Sequence, residues 1–548
     1  MAPARFNAAE WLVDRHVAGG RGHRVAFRCP DSTVTYAQLQ AETWRAARML
    51  ADLGVGEGDR LLMVVLDEPA FAAVYLGAMR IGAVPIPVST MLRADDVAVL
   101  AADSGAVAAV VSAPFAGYLS RLASAAPSLR SAVVLDTGAA AEAEEAEPAG
   151  GLVVRLWSDF TDVSEVATAA TTPDTSGFWL YTSGTTGRPK GAVHRHGDIR
   201  AVAQTYGRTV LGMGPDDVCY SVAKLFFAFG LGNALFFPLS VGAAAVLDPR
   251  PPVPARVAEL AAAHRPTLFF APPGFCAAMV DAGVPADALA SVRATVTAGE
   301  TLPAEVYRRF RGHFDVEMLD GIGSTEVLHI FCSNHPGDVR PGSTGRAVQG
   351  YELKILDDDG AEVEDPDTPG ALWVRGDSVT TGYWQRPEVN AATFVDGWCR
   401  TGDVYRRDRD GYYWFVGRNS DMIKAGGIWV SPAEVESVLI EHPSVLEAAV
   451  VGGRTRDGLE VTVAFVVPAA SWAVEQEELL AHCRERMASF KRPRVIHVVD
   501  SLPKTATGKI QRFALRARLE AEADAEADAG AEAEAGDSSG EPVPSGGG

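Results

Sequence analysis

At 548 residues, with 47% hydrophobic and 22% charged positions, the chain is long enough for several cores and has the apolar content of a globular protein. Its formal net charge of −21 is uneven: 520–548 holds nine acids and no base, and Glu142, Glu144, Glu145 and Glu147 add four more, so the remaining −8 body offers no broad cationic face for nucleic acid or an anionic membrane. Six scattered cysteines without a C-x-x-C pair or zinc-spaced histidines, no signal-like N-terminus and no run of about 18 apolar residues predict a soluble cytoplasmic protein with reduced thiols.

Short apolar runs at 61–65, 106–111, 132–135, 243–247, 267–270 and 294–297 alternate with longer Ala/Leu/Arg stretches that read as helices. Such alternation predicts an α/β large N-terminal domain, 1–418, with largely buried strands. The Ala/Glu/Gly/Pro-rich segment 137–151 cannot bury enough apolar area to offset its ordering entropy and reads as a surface loop. After Trp373, closely spaced glycines punctuate short aromatic strands, predicting a β-rich subdomain that closes this domain. A small α+β domain, 419–519, is expected next, with helix 432–440, strands 448–451 and 461–467, helix 476–487 and strand 495–499. The Ala/Glu/Asp tail, 520–548, lacks an apolar stripe and reads as a solvated, disordered segment.

The strongest local signal follows the apolar strand 178–180: Tyr181-Thr182-Ser183-Gly184-Thr185-Thr186-Gly187-Arg188-Pro189-Lys190-Gly191. Glycines allow close backbone approach, hydroxyls and N–H groups can surround phosphate oxygens, and Lys190 supplies a cation. The spacing is not that of a Walker loop. A flexible Ser/Gly/Thr surface loop is the plainer reading of the composition alone. Further motifs follow in order: Asp320-Gly321-Ile322-Gly323-Ser324-Thr325-Glu326, Tyr383-Trp384, Thr401-Gly402-Asp403, Gly417-Arg418, Lys424-Ala425-Gly426-Gly427 and Pro503-Lys504-Thr505-Ala506-Thr507-Gly508-Lys509.

This ordered set resembles the acyl-adenylate-forming superfamily, which includes acyl-CoA synthetases, luciferases and peptide-synthetase adenylation domains. The resemblance implies that Thr182, Ser183, Gly184, Thr185, Thr186, Gly187, Lys190, Asp320, Gly321 and Ile322 serve the nucleotide. It implies that Thr325 touches the α-phosphate and Glu326 helps hold Mg²⁺ on ATP, a hard cation suited to oxygen ligands. Asp403 would accept the ribose hydroxyls, and Arg418 would contact ribose or phosphate. Lys509 would reach the carboxylate and α-phosphate during adenylation, which makes Lys509, Thr325 and Glu326 the implied catalytic group. The same likeness implies that the small domain closes for adenylation and then rotates, so that Lys424, Gly426 and Gly427 serve the thioester step. The implied hinge position holds Ser420, where the superfamily usually has Asp or Lys.

A narrower resemblance, to benzoate-CoA ligases, rests on Lys224-Leu225-Phe226-Phe227-Ala228-Phe229-Gly230-Leu231-Gly232-Asn233, on His194-x-His196-Gly197-Asp198-Ile199, and on Val327-Leu328-His329-Ile330-Phe331. It implies an aryl slot walled by Phe227, Ala228, Phe229, Ala298, Gly299, Gly323 and Ile330. Where amino-acid-activating relatives carry an aspartate, Phe227 and Ala228 stand here, and a buried ammonium would lack a partner. The plainer reading of each apolar residue is core packing. The expected function is therefore ATP- and Mg²⁺-dependent ligation of benzoate, or a substituted benzoate, to CoA. The alternatives are an aryl-AMP ligase that loads an acyl carrier protein, and a nucleotide-binding regulatory protein without the chemistry. A homodimer is compatible with all three.

Overall fold

A computed structural model describes residues 4–136, 151–183, 189–418, 421–425, 428–454, 460–469, 475–504 and 510–522. Compact units divide at 415/416, giving Met1–Phe415 and Val416–Gly548. The division falls inside the strand Tyr413–Arg418, just before the 418/419 boundary expected from sequence.

In the first unit, the described residues form a nine-stranded sheet whose middle runs parallel in the order Met318–Gly323, Ala294–Thr297, Leu268–Phe270, Val218–Ser221, Ala244–Val246, Val25–Arg28. A second sheet is wholly parallel: Val84–Pro87, Arg60–Val64, Ala108–Ser112, Ser131–Leu135, Val153–Leu156. Every residue of Ala108–Ser112 and Ser131–Leu135 is buried, as expected of parallel strands covered on both faces. Each of the six apolar runs read from sequence lies on one of these strands.

The β-rich part begins earlier than its glycine spacing suggests. Tyr351–Leu356 pairs antiparallel with Gly370–Gly376, which in turn pairs with Trp398–Arg407. Tyr351–Leu356 buries only Tyr351 and Ile355 among polar neighbours, so it carries no continuous apolar run to announce it. Trp373 sits inside the second of these strands rather than at the boundary.

The second unit has the expected order: helix Pro432–Ile440, strands Val445–Arg454 and Glu460–Pro468, helix Gln476–Arg486, strand Val495–Val498. The first two strands are antiparallel and the third is parallel to its neighbour. Ser431 caps the first helix, its Oγ accepting from the Glu434 N–H at 3.2 Å. Buried Glu436 accepts from Val450 N at 2.8 Å and from Arg512 Nη2 at 2.6 Å, tying helix to sheet and to the C-terminal segment. Residues 512–522 are helical, so the start of the expected tail continues a helix. The rest of it, 523–548, and the expected loop through 137–150 lie outside the described residues. All six cysteines are free thiols, and burial pushes Cys29 and Cys483 up to about 11. No described helix is long and apolar enough to cross a membrane.

Candidate active site

The phosphate-loop motif closes a hairpin. Strand Ser176–Ser183 pairs antiparallel with Pro189–Arg195, with Thr182 opposite Lys190 and Ser183 opposite Pro189. Gly184, Thr185, Thr186 and Gly187, together with the Ser183 side chain, lie outside the described residues. The far edge of the hairpin is tied to 380–384: Val193 N donates to Gly382 O at 3.0 Å, Thr381 N to Val193 O at 3.1 Å and Trp384 N to Gly191 O at 2.8 Å. Beside them, the Lys190 ammonium sits 4.9 Å from the Tyr383 ring centroid.

The same 380–384 segment grips the second motif. Strand Met318–Gly323 runs into a short 3-10 turn, Thr325–Val327. There the Glu326 carbonyl accepts from Thr380 N at 2.8 Å, and its carboxylate Oε1 accepts from the Tyr383 hydroxyl at 2.6 Å. Burial, reinforced by the Glu326 charge, pushes the Tyr383 hydroxyl far above its ordinary range, so it stays a donor. The described residues hold no cluster of three or more His, Cys, Asp or Glu that could form a metal cage on their own. A lone half-buried carboxylate of this kind suits Mg²⁺ carried in on phosphate oxygens rather than a protein-only cage.

The residues implied for an aryl slot lie at the start of helix Ala228–Leu231, just after strand Ala294–Thr297, at the end of Met318–Gly323 and at the start of Ile330–Ser333. Phe227 precedes the short helix Ala228–Leu231, and Phe227, Ala228 and Phe229 are half-buried. Phe229 packs edge-on against Phe270 at 6.4 Å and lies tilted by 31° against His329 at 5.6 Å between ring centroids. Ala298 directly follows the strand Ala294–Thr297, and Ile330 begins the strand paired to Met318–Gly323. Ala298 and Ile330 are buried in the same core. Two glycines owe their identity to backbone crowding: a Cβ at Gly230 would lie 1.9 Å from the Lys224 carbonyl oxygen, and one at Gly323 would lie 2.7 Å from the His329 carbonyl. Gly299 has φ +92°, and a Cβ there would meet nothing within 4 Å.

Residues 14–384 match the family described as AMP-binding enzyme, and 434–509 match its C-terminal domain. A benzoate–CoA ligase of Thauera aromatica is 43% identical over 520 residues, covering 94% of this chain and 96% of that protein. The chain belongs to the AMP-binding enzyme family. Solved structures agree with this AMP-binding enzyme throughout. The anthranilate CoA ligase AuaEII with anthranoyl-AMP superposes with a TM-score of 0.88 at 36% identity, covering 95% of this chain and 99% of that one. A benzoate CoA ligase from Burkholderia xenovorans LB400 gives 0.85 at 39% identity, with coverage of 93% and 100%.

The AMP-binding enzyme scatters the remaining motif residues. Asp320 is turned into the sheet, where its Oδ1 accepts from the Thr297 hydroxyl at 3.0 Å, and burial pushes its carboxyl up to about 8. Gly321 packs against Ile330 and the Cys332 carbonyl, while Ile322 pairs with Cys332. Asp403 is half-buried beyond Gly402, and its N–H donates to Thr401 Oγ1 at 3.1 Å. In the second unit, Arg418 is exposed, and its carbonyl accepts from Asp421 N at 2.9 Å. Lys424 pairs with Trp429 in the hairpin Ile423–Ala425/Ile428–Val430. Ser420, Gly426, Gly427 and Lys509 lie outside the described residues.

Sequence reasoning missed the contacts that hold these pieces. The Tyr383-Trp384 motif was legible, but nothing in it named Glu326 as partner. Buried Asp67, pushed up to about 6 by burial against the opposing pull of Lys224, accepts from Leu225 N at 3.1 Å. Lys224 Nζ in turn donates to the carbonyls of Asp248 at 2.6 Å and Arg250 at 2.7 Å, so the start of the 224–233 motif is clamped from both sides.

Proposed function

We propose that this AMP-binding enzyme joins benzoate or a substituted benzoate to CoA. The carboxylate attacks the α-phosphorus of ATP, giving aryl-AMP and pyrophosphate. The CoA thiol then displaces AMP, losing its proton as the thioester forms. The observation that carries this reading is the direct tie between the phosphate-loop hairpin and the Thr325–Glu326 turn through Thr380 and Tyr383, with Phe229, Ala298 and Ile330 packed in one apolar cluster. Full-length similarity to a benzoate–CoA ligase supports the choice of acid and acceptor.

In this reading Lys190 and the loop hydroxyls draw off phosphate charge, Thr325 steadies the α-phosphate, and Phe229, Ala298 and Ile330 hold the ring so that its carboxylate faces phosphorus. Glu326 would hold Mg²⁺, which supplies charge neutralisation on the triphosphate. Asp403 and Arg418 serve the ribose, and Lys509 neutralises the charge that develops as carboxylate meets phosphate. Neither Phe227 nor Ala228 offers a counter-charge to an ammonium, which supports an aromatic acid over an amino acid. The substrates ATP and CoA favour the cytoplasm as the site of action.

The test is carboxylate-dependent exchange of labelled pyrophosphate into ATP, followed by addition of CoA. Exchange with benzoates and formation of an aryl-CoA thioester are expected. Exchange with benzoates but acylation of a carrier protein in place of CoA would reassign the acceptor. No exchange with any aromatic acid would remove the reading.

A further inference from the structure

The His194-x-His196-Gly197-Asp198 segment stands at the end of the hairpin strand that begins with Pro189 and Lys190, and the proposed chemistry gives it no role. His194 and Asp198 have side chains 0% and 1% exposed. Nδ1 of His194 lies 3.0 Å from Asp198 Oδ2, and Nε2 lies 2.7 Å from the carbonyl oxygen of Thr325. The Thr325 carbonyl can only accept, so Nε2 donates to it, while Nδ1 is hydrogen-bonded to the Asp198 carboxyl group on the other side of the ring. Asp198 is itself held: Oδ2 accepts from Arg195 N at 3.0 Å and Oδ1 from Arg195 Nε at 2.9 Å, in the first turn of helix His196–Val202. The ring stacks on Phe178 at 5.2 Å and 16°, which fixes its plane. Its neighbour His196 differs: Nδ1 accepts from Ala8 N at 3.1 Å, a contact to the N-terminal segment rather than to the Thr325 turn.

The accepting carbonyl belongs to a strained turn. Leu328 N also donates to Thr325 O, at 3.3 Å, and buried Leu328 has φ +70°. A branched residue persists in that region only where its surroundings over-determine it.

We infer that His194, oriented by Asp198, is a positioning residue that sets the Thr325–Glu326 turn relative to the phosphate-loop hairpin. The strand that presents Lys190 to phosphate thereby also fixes the height of the Thr325 hydroxyl and the Glu326 carboxylate, making one rigid frame of two motifs far apart in sequence. The inference rests on the ATP chemistry proposed above. Its consequence is graded: displacement of the turn acts directly on the triphosphate and its metal, and on the aryl residues only through Gly323 and Ile330, which flank the turn.

The experiment is steady-state pyrophosphate exchange with benzoate on full-length wild type, His194→Leu and His194→Gln, with melting curves. Wild type without exchange overturns the proposed function and this inference with it. His194→Leu keeps packing on Phe178 but loses both ring-nitrogen hydrogen bonds. It is expected to lower kcat by roughly tenfold to a hundredfold and raise KM for MgATP, while KM for benzoate stays within about twofold. His194→Gln, which keeps an N–H donor toward the Thr325 carbonyl, is expected to recover most of that loss. Wild-type kcat in His194→Leu, or His194→Gln as impaired as His194→Leu, overturns the inference. Should His194→Leu fail to fold, His194→Gln alone decides: near-wild-type kcat and KM for MgATP support the role, and a low kcat in a folded protein overturns it.

Discussion

The hydroxyl of Tyr383 donates to Oε1 of Glu326 at 2.6 Å, while its ring faces the Lys190 ammonium at 4.9 Å, so one side chain touches both motifs proposed to handle phosphate. The two contacts can be separated. Tyr383→Phe removes only the hydrogen bond, and Tyr383→Leu removes the ring as well. A hydrogen bond to a charged group contributes about 1.5–3 kcal/mol, so Tyr383→Phe should raise KM for MgATP roughly tenfold with little change for benzoate. Tyr383→Leu should be worse, because the cation–π contact goes too. Titration of exchange rate against Mg²⁺ at fixed ATP measures both. Equal kinetics in wild type and Tyr383→Phe would sink the idea.

Asp320 supplies a pH prediction. Its folded value of about 8 lies above the ordinary carboxylate value of about 3.9, so the folded state binds the extra proton between them. The stability contribution of the protonated form is therefore fully present below about pH 4 and is lost as pH rises through about 8. Asp320→Asn still accepts from the Thr297 hydroxyl without the buried charge. It should melt higher than wild type, with the gap widening from pH 5 to pH 9. A gap that is flat with pH in thermal melts contradicts the burial argument.

Ala298 tests the aryl slot. Ala298→Leu introduces bulk at a buried position at the end of the strand that pairs with Met318–Gly323, and overpacking of this kind typically costs about 1–3 kcal/mol. If the space is the ring site, KM for benzoate should rise about tenfold or more while KM for MgATP holds. Unchanged benzoate kinetics would place the ring elsewhere.

Gly230 should tolerate no side chain. With a Cβ only 1.9 Å from the Lys224 carbonyl oxygen, Gly230→Ala must displace the 224–230 backbone that Asp67 and Lys224 clamp. Loss of benzoate-dependent exchange and a lower melting temperature are expected. Wild-type values for both would show that the segment yields.

Lys509→Ala should reduce aromatic-acid-dependent exchange by about 10²–10³, the usual cost of removing one group that stabilises developing charge. ATP binding without the acid should persist, as followed by nucleotide titration. Full exchange in the variant would assign adenylation to another cation.

What the sequence determined by itself was local and periodic. Buried parallel strands such as Ala108–Ser112 are continuous apolar runs, and the phosphate loop is a contiguous string after one of the strands, so both are legible without coordinates. The order of motifs identified the superfamily. The strand Tyr351–Leu356 escaped because only one face is buried and its polar residues break the run. Tertiary structure alone decided the couplings: Tyr383 with Glu326, His194 with Thr325, Asp67 with Leu225. Each joins residues distant in the chain through one hydrogen bond, and a donor in a sequence does not name its acceptor. It also decided that the His329 backbone lies against Gly323, so that a Cβ there would sit 2.7 Å from the His329 carbonyl. Periodicity reports which face a residue turns inward; only the packed fold brings a particular neighbour to that face.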